Sequence, residues 1–403
     1  MTETQESEDL IDRQRQNYSF NFANFLRTAK ADLNKGYFDV VKEVFHLSRG
    51  SGKLSAQEYV FFRLYDDRLY SPEQKDAFMG VNAMRYLNTN LSNIGKFIAI
   101  DKLIVNGFLG GLGLPTTKTF ALYHPFRAYG LAKQLRNPEE LAYFLRQEAP
   151  YPFFSKPVAK VNSIGVVSAE EYDAKSDSLI LKDGRSLPVE EFVREVESYT
   201  DHGYCFQERL RQNPEIDEIC GDRLSGFRVL TIMGDKGPEI LRASWKVVTG
   251  DHPADNFWRR GNLLAAIDVE SGTIERVVLG AGPHLEEVHE HPDTKAPLTG
   301  ATVPQWSSIY ETVYHAACAM HHSQIQGWDI TLTDEGPVII ELEGDGGHPQ
   351  MTQLAQGRGL YEGRFKEFYD AAIEKGQKAK AEKKAKKRTL EAIQSTLGTA
   401  AQN

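Results

Sequence analysis

Residues 327–349 read GWDITLTDEGPVIIELEGDGGHP, and the alternation inside this stretch decides how the chain is taken. WDITLT and PVIIELE are β-prone runs. Asp334, Glu335 and Gly336 between them are turn chemistry, with glycine where φ > 0 is tolerated. With those three as the loop, Thr333 faces Pro337, Leu332 faces Val338 and Asp329 faces Glu341. Period-2 alternation returns Glu343 to the side of Glu341. Trp328, Ile330, Leu332, Val338, Ile340 and Leu342 take the opposite, core-facing side. Carboxylates converging on a strand surface repel unless a cation sits between them, and hard oxygen ligands on rigid strands suit Mg²⁺. An ordinary half-buried hairpin with an acidic face gives the same pattern, and a one-residue slip in the turn separates Asp329 from Glu341.

At 403 residues the chain can build two or three subdomains with real cores, and its 41% hydrophobic and 26% charged residues are those of a soluble globular protein. No run of ~18 apolar residues is present, so no membrane span is expected. The polar start MTETQESEDLIDRQRQ is unlike a signal peptide. Cys205, Cys220 and Cys318 form neither a disulfide framework nor a metal pattern, which fits a reducing cytoplasm. The formal charge is −9, but residues 375–388, KGQKAKAEKKAKKR, carry +7, leaving −16 on the rest. An acidic body argues against a general nucleic-acid surface. The basic run reads as a solvated helix or a disordered end, with anionic lipid, RNA or an acidic protein as its candidate partners.

Residues 1–17 lack apolar periodicity and are expected to be disordered. Residues 18–95 are helical in pattern, with FANFLRTA, FDVVKEVFHL, QEYVFFRLY and FMGVNAMRYL spacing apolar residues at three and four. After that the pattern changes to strands: FALY, PYPFFSKP, FRVLTIM, EILRASWKVV, LLAAIDVE, ERVVLG and the 328–343 hairpin, with helices near 305–323 and 360–374. Hairpins with helices laid alongside predict an α+β fold rather than alternating βαβ.

The ordered set of motifs resembles the ATP-grasp superfamily, and within it the sugar-transfer-associated branch. The resemblance rests on Asp101–Lys102 followed by GLGLPTT, FFSKP with Lys156, YCFQERLRQNPEI, LSGFRVLTI with Arg228, and ASWKVVTGDHPADNFWRRGN. AIDVESGTI, HPDTKAPLTGATVPQW and the acidic hairpin follow in the expected order. It covers about two-thirds of the chain. It implies two α+β subdomains clamping ATP: a small one over 96–205 and a large one with the metal site over 206–370, then a basic helical or disordered tail over 371–403.

The resemblance also implies roles. Lys102 and Lys156 hold the nucleotide phosphates, and the loop PVAKVNSIGV lies over them with Asn162 and Ser163 shaping it. That loop holds only Gly165, where relatives have more glycine. Gln207, Glu208 and Leu210 run beside adenine, with Glu208 nearest its amino group and Glu215 a candidate for the ribose; either acid also reads as surface charge, and for Glu215, in the loop-like QNPEIDE, that is the stronger reading. Arg228 and Lys246 meet charge on the transferring phosphoryl group. Lys246 stands where relatives show arginine. Asp255 and Asn256, with Gly261, line the acceptor side. Asp329, Glu341 and Glu343 bind Mg²⁺, with Mn²⁺ as the alternative, and Glu343 replaces the usual asparagine.

The implied activity is an ATP-dependent carboxylate–amine ligase working through an acyl phosphate on small-molecule substrates, in a cell-surface sugar or polysaccharide context. Its rivals are a small-molecule kinase and a nucleotide-binding protein without turnover. A homodimer is the default assembly. His284, His289 and His291 match no common zinc spacing and are read as solvent-facing or substrate-proximal; His321 and His322 are read as structural.

Overall fold

The computed structural model describes residues 35–91, 99–159, 165–199, 201–221, 223–250, 257, 261–343 and 347–400, with the side chains of the last helix described as far as residue 391. The calls on 1–17, on FANFLRTA and on Asn162, Ser163, Asp255 and Asn256 lie outside these residues.

Two seven-stranded sheets carry the fold. The first is built from β1 (Thr119–Tyr123), β2 (Lys133–Leu135), β3 (Phe153–Pro157), β4 (Val167–Asp173), β5 (Ser178–Leu181), β6 (Ser186–Pro188) and β7 (Tyr204–Glu208), in the order β2-β1-β7-β3-β4-β5-β6. Strand β7 sits between β1 and β3, so this sheet runs to Glu208 and the boundary expected at 205/206 falls inside a strand. Helices Pro138–Gln147 and Val189–Glu197, which the sequence reading did not single out, cover one face. Their Leu141, Phe144, Phe192 and Val196 pack on Phe153, Tyr204 and Phe206.

The second sheet holds β8 (Gly226–Gly234), β9 (Gly237–Val247), β10 (Leu263–Ile267), β11 (Ile274–Leu279), β12 (Glu286–Val288), β13 (Ile325–Thr333) and β14 (Gly336–Glu343), in the order β12-β11-β10-β9-β8-β13-β14. One face buries Phe227, Trp245, Leu263, Ala265, Trp328 and Ile330 under the helix Trp306–Ala319. On the other face, Leu264, Ala266 and Val278 meet Tyr59, Phe62 and Phe78 of the N-terminal helices. Each such aromatic or aliphatic side chain removed from water contributes about 1.5–3 kcal/mol. The expected helical N-terminal layer is therefore a lid on the second sheet. The final helix, Gly363–Ala400, seats Phe365, Tyr369 and Ala372 on Leu230, Ile232 and Ile325, and its basic stretch is exposed.

The hairpin differs from its expected form in an instructive way. Thr333 pairs with Gly336, so the loop is only Asp334 and Glu335, and Leu332 faces Pro337 instead of Val338. Thr333 Oγ1 donates to Gly336 O (2.7 Å) and accepts from Glu335 N (3.2 Å), which closes the tighter turn. A register shift between Asp329 and Ile330 then leaves Ile340 as an extra residue, and Asp329 again faces Glu341. The bulge also changes the core face: Ile339 and Leu342 are buried in it, whereas Val338 and Ile340 are only half-buried.

Candidate functional site

The second sheet places four functional side chains by register. Asp329 on β13 pairs with Glu341 on β14 and with Arg228 on β8. Lys246 lies on β9, two residues from Ser244, the partner of Arg228. Alternation puts these on the face opposite Trp328 and Trp245. Arg228 grips Asp329 with two bonds, Nε to Oδ1 at 2.5 Å and Nη2 to Oδ2 at 3.0 Å. Its Nη2 also reaches Glu343 Oε1 at 3.3 Å. Lys246 Nζ stands 3.4 Å from Asp329 Oδ2. Burial works against ionisation of Asp329, yet Arg228 and Lys246 hold its carboxyl below the usual range.

The first sheet and its flanking helix bring the remaining cations. Asp101 caps the helix Lys102–Gly111, accepting from Leu103 N (3.0 Å) and Ile104 N (3.1 Å), and this sets Lys102 at its first turn. Lys102 Nζ crosses to Glu341 Oε1 at 3.1 Å. Lys156 on β3 pairs with Cys205 of β7 and is buried. Burial lowers its pKa, with Lys102 acting in the same direction and Cys205, Glu341 and Asp329 opposing it. Glu341 is pushed the other way: burial raises its pKa, Lys102 opposes this, and Glu343 and Asp329 add to it. Arg228 Nη1 is buried with no hydrogen-bond partner among the described residues.

Four cations from both sheets thus meet three carboxylates at one hairpin, with an unanswered guanidinium nitrogen. The cluster's cations outnumber its carboxylates by one, so the charge balance leaves room for an anionic ligand. Asp329 is committed to Arg228 and Lys246, Glu341 meets Lys102 through Oε1, and Glu343 meets Arg228 through Oε1 and His348 through Oε2; the two glutamates face the same side around buried Leu342. Among the described residues, no three His, Cys, Asp or Glu side chains already form a metal cage. Asp329, Glu341 and Glu343 are the hard oxygen donors on this face that a divalent cation could take up.

Other expected site residues scatter. Gln207 shares the face of Lys156, its Nε2 bonding Thr117 Oγ1 (2.8 Å) and Thr119 Oγ1 (3.1 Å) while its Oε1 has no partner among the described residues. Glu208 ends β7 opposite Phe153, with its part-exposed carboxylate accepting from Lys118 N at 3.2 Å and standing 3.4 Å from Lys118 Nζ. Leu210 is half-buried just beyond β7. Glu215 is exposed at the start of the helix Pro214–Cys220, with Asn213 Oδ1 on its N–H. His291 is a correction: it is fully buried, its Nε2 2.9 Å from Val248 O and its Nδ1 accepting from Asp293 N and Thr294 N. It is a loop staple.

Two neighbours of the site were not read from the sequence. Asn106, buried on the Lys102 helix, donates to Thr117 Oγ1 at 2.7 Å and so joins Gln207. His348 Nε2 stands 3.6 Å from Glu343 Oε2, on a backbone with φ +43°. The GGHP run ending the acidic hairpin was its one available signal.

Two α+β sheets closing on this cluster are the ATP-grasp fold. The chain belongs to the sugar-transfer-associated ATP-grasp family, whose profile matches residues 100–368. Among solved structures it is similar to the D-alanine–D-alanine ligase from Coxiella burnetii, at 14% identity over 77% of this chain and 68% of that one, with a TM-score of 0.39. VanG D-Ala:D-Ser ligase from Enterococcus faecalis shares 12% identity over 70% and 63%, with a TM-score of 0.37. L-amino acid ligase from Bacillus licheniformis shares 15% over 66%, with a TM-score of 0.35, and the chain spans about half of its length (48%). Among curated proteins no sequence relative is found. No helix among the described residues is long and apolar enough to cross a membrane.

Proposed function

We propose that the protein is an ATP- and Mg²⁺-dependent ligase that joins a carboxylate to an amine in a sugar or polysaccharide pathway. The observation that carries this is the meeting of Lys102, Arg228 and Lys246 with Asp329, Glu341 and Glu343, beside buried Lys156, while Arg228 Nη1 has no hydrogen-bond partner among the described residues. These groups carry one more positive than negative charge, which suits a polyphosphate brought in with a divalent metal.

In this reading Lys102 and Lys156 bind the phosphates of ATP. The substrate carboxylate oxygen attacks the γ-phosphorus, ADP leaves, and an acyl phosphate forms. Arg228 and Lys246 stabilise the charge spread over the transferring oxygens, in a site where burial strengthens each contact. The amine then attacks the acyl carbon, inorganic phosphate departs with the C–O bond electrons, and the amine proton goes to solvent. Glu341 and Glu343, with Asp329 behind them, would hold Mg²⁺ or Mn²⁺, which neutralises phosphate charge.

The test is ADP release from Mg²⁺-ATP over a panel of carboxylates and amines, beside Lys156→Met. That variant replaces a buried cation by an apolar side chain of similar length and should fold as well as the parent. The expected result is release that needs both substrate classes and is lost in the variant. Release with hydroxyl acceptors alone would make it a kinase. ATP binding with no turnover across the panel would overturn the ligase reading.

A further inference from the structure

The face of the first sheet that carries Lys156 also carries a glutamine whose hydrogen bonds are only half made. Lys156 pairs with Cys205, and one pleat further along the same two strands Phe154 pairs with Gln207. Paired residues share a face, as do residues two apart, so Gln207 lies about 7 Å along the strand from the Lys156 row and on the same side of the sheet. Phe154 is only half-buried there, and Lys156 Nζ stands 5.8 Å from the centre of its ring. Gln207 itself is 1% exposed.

A glutamine amide can offer a ligand either its oxygen or its NH₂ group, and the neighbours of Gln207 decide which. Both Nε2 hydrogens are committed, to Thr117 Oγ1 at 2.8 Å and to Thr119 Oγ1 at 3.1 Å. Thr117 Oγ1 also accepts from Asn106 Nδ2 at 2.7 Å, so two N–H donors fill its two lone pairs. Asn106 and Thr117 are buried as well. What remains of both amides is oxygen: Gln207 Oε1 and Asn106 Oδ1 are buried with no hydrogen-bond partner among the described residues. A buried acceptor left open costs free energy until a donor reaches it. Along this face there follow a cation suited to phosphate, a partly uncovered aromatic ring suited to a planar base, and a fixed acceptor suited to an N–H at the edge of that base. We propose that Gln207 selects the purine by accepting from the 6-amino group of adenine, and that Asn106 and Thr117 are positioning residues that lock its amide in the accepting orientation. This rests on the reading of Lys102 and Lys156 as the phosphate-binding pair. Guanine and hypoxanthine carry a carbonyl at position 6, which would meet the locked oxygen acceptor to acceptor. A glutamine free to turn would take either kind of base by offering Nε2 to the carbonyl, so the lock is what excludes them.

The experiment is calorimetric titration of the full chain with Mg²⁺-ATP and with Mg²⁺-ITP, in the absence of any acceptor substrate. ITP is the probe because it carries the 6-carbonyl without guanine's 2-amino group. The parent is expected to bind ATP about 100-fold more tightly than ITP. Asn106→Leu and Thr117→Val each free the amide to turn, and the ratio should fall about tenfold in each, mainly through tighter ITP binding. Thr117→Ser keeps the hydroxyl and should keep the ratio. Gln207→Glu offers oxygen at either end and needs no lock, so adding it to Asn106→Leu should restore the preference for ATP. The ratio is the readout because a general loosening of the helix Lys102–Gly111 would weaken both nucleotides alike. Equal binding of ATP and ITP by the parent would overturn the inference and leave the ligase reading standing. A ratio unchanged in both Asn106→Leu and Thr117→Val would also overturn it. No binding of either nucleotide would overturn both readings, whereas selective ATP binding without turnover would uphold this inference and count against the ligase alone.

Discussion

Asp329→Asn isolates the electrostatics of the site, because it removes a charge while keeping size and shape. In the parent, Asp329 accepts both arms of Arg228 and stands 3.4 Å from Lys246, and Arg228 and Lys246 are both buried. Neutralising Asp329 removes the carboxylate that Arg228 and Lys246 share in a buried site. Breaking a buried pair in this way costs about 3–5 kcal/mol. Glu343 keeps its 3.3 Å contact with Arg228, and this places the expectation at the lower end, about 3 kcal/mol. Urea unfolding followed by tryptophan fluorescence is the assay, since Trp245 and Trp328 lie in the core beneath the site and report this sheet. Adding Arg228→Met to the variant removes one stranded charge, so the double variant should recover much of the loss. A loss below about 1 kcal/mol in Asp329→Asn would refute the reasoning, because it would mean water or rearrangement compensates Arg228 and Lys246. The sign with pH follows from the depressed Asp329 carboxyl: its contribution is complete above the ordinary carboxylate pKa and disappears as pH falls through the lower folded value.

Three further outcomes follow from other parts of the molecule. Gly327→Ala should destabilise by about 1–3 kcal/mol in urea unfolding, since its Cβ would lie 2.6 Å from Gly347 Cα and push away the turn that carries His348. Of three thiols, native protein at pH 8 should expose one fast-reacting group to a disulfide reagent: Cys318 is exposed, whereas burial pushes Cys220 up to about 12 and also raises Cys205. Two or three fast thiols would contradict the burial. Asp177 is held down at about 2 by Arg146 and then Tyr172, so its contribution is present above about pH 4 and fades as pH falls towards 2. The pair is exposed, which limits it to about 1 kcal/mol, and Asp177→Asn should flatten that part of the stability–pH curve by no more.

The sequence by itself determined the α+β character of the strand block, the Asp101–Lys102 motif before a helix, the strands bearing Lys156, Arg228 and Lys246, and the meeting of Asp329 with Glu341. Each of these is written in local spacing, because period-2 alternation, capping and turn residues act over a few positions. The tertiary structure decided the rest. Two errors in reading the hairpin cancelled: the loop is one residue shorter than expected, and the bulge at Ile340 restores the register, so Ile339 took the core place assigned to Val338 and Ile340. His291 disappeared beneath a loop as a backbone staple. The Lys102–Glu341 contact joins a helix packed between the two sheets to the last strand of the second. Such pairings depend on how two sheets pack across hundreds of residues, and the short-range preferences that shape each strand carry no record of it.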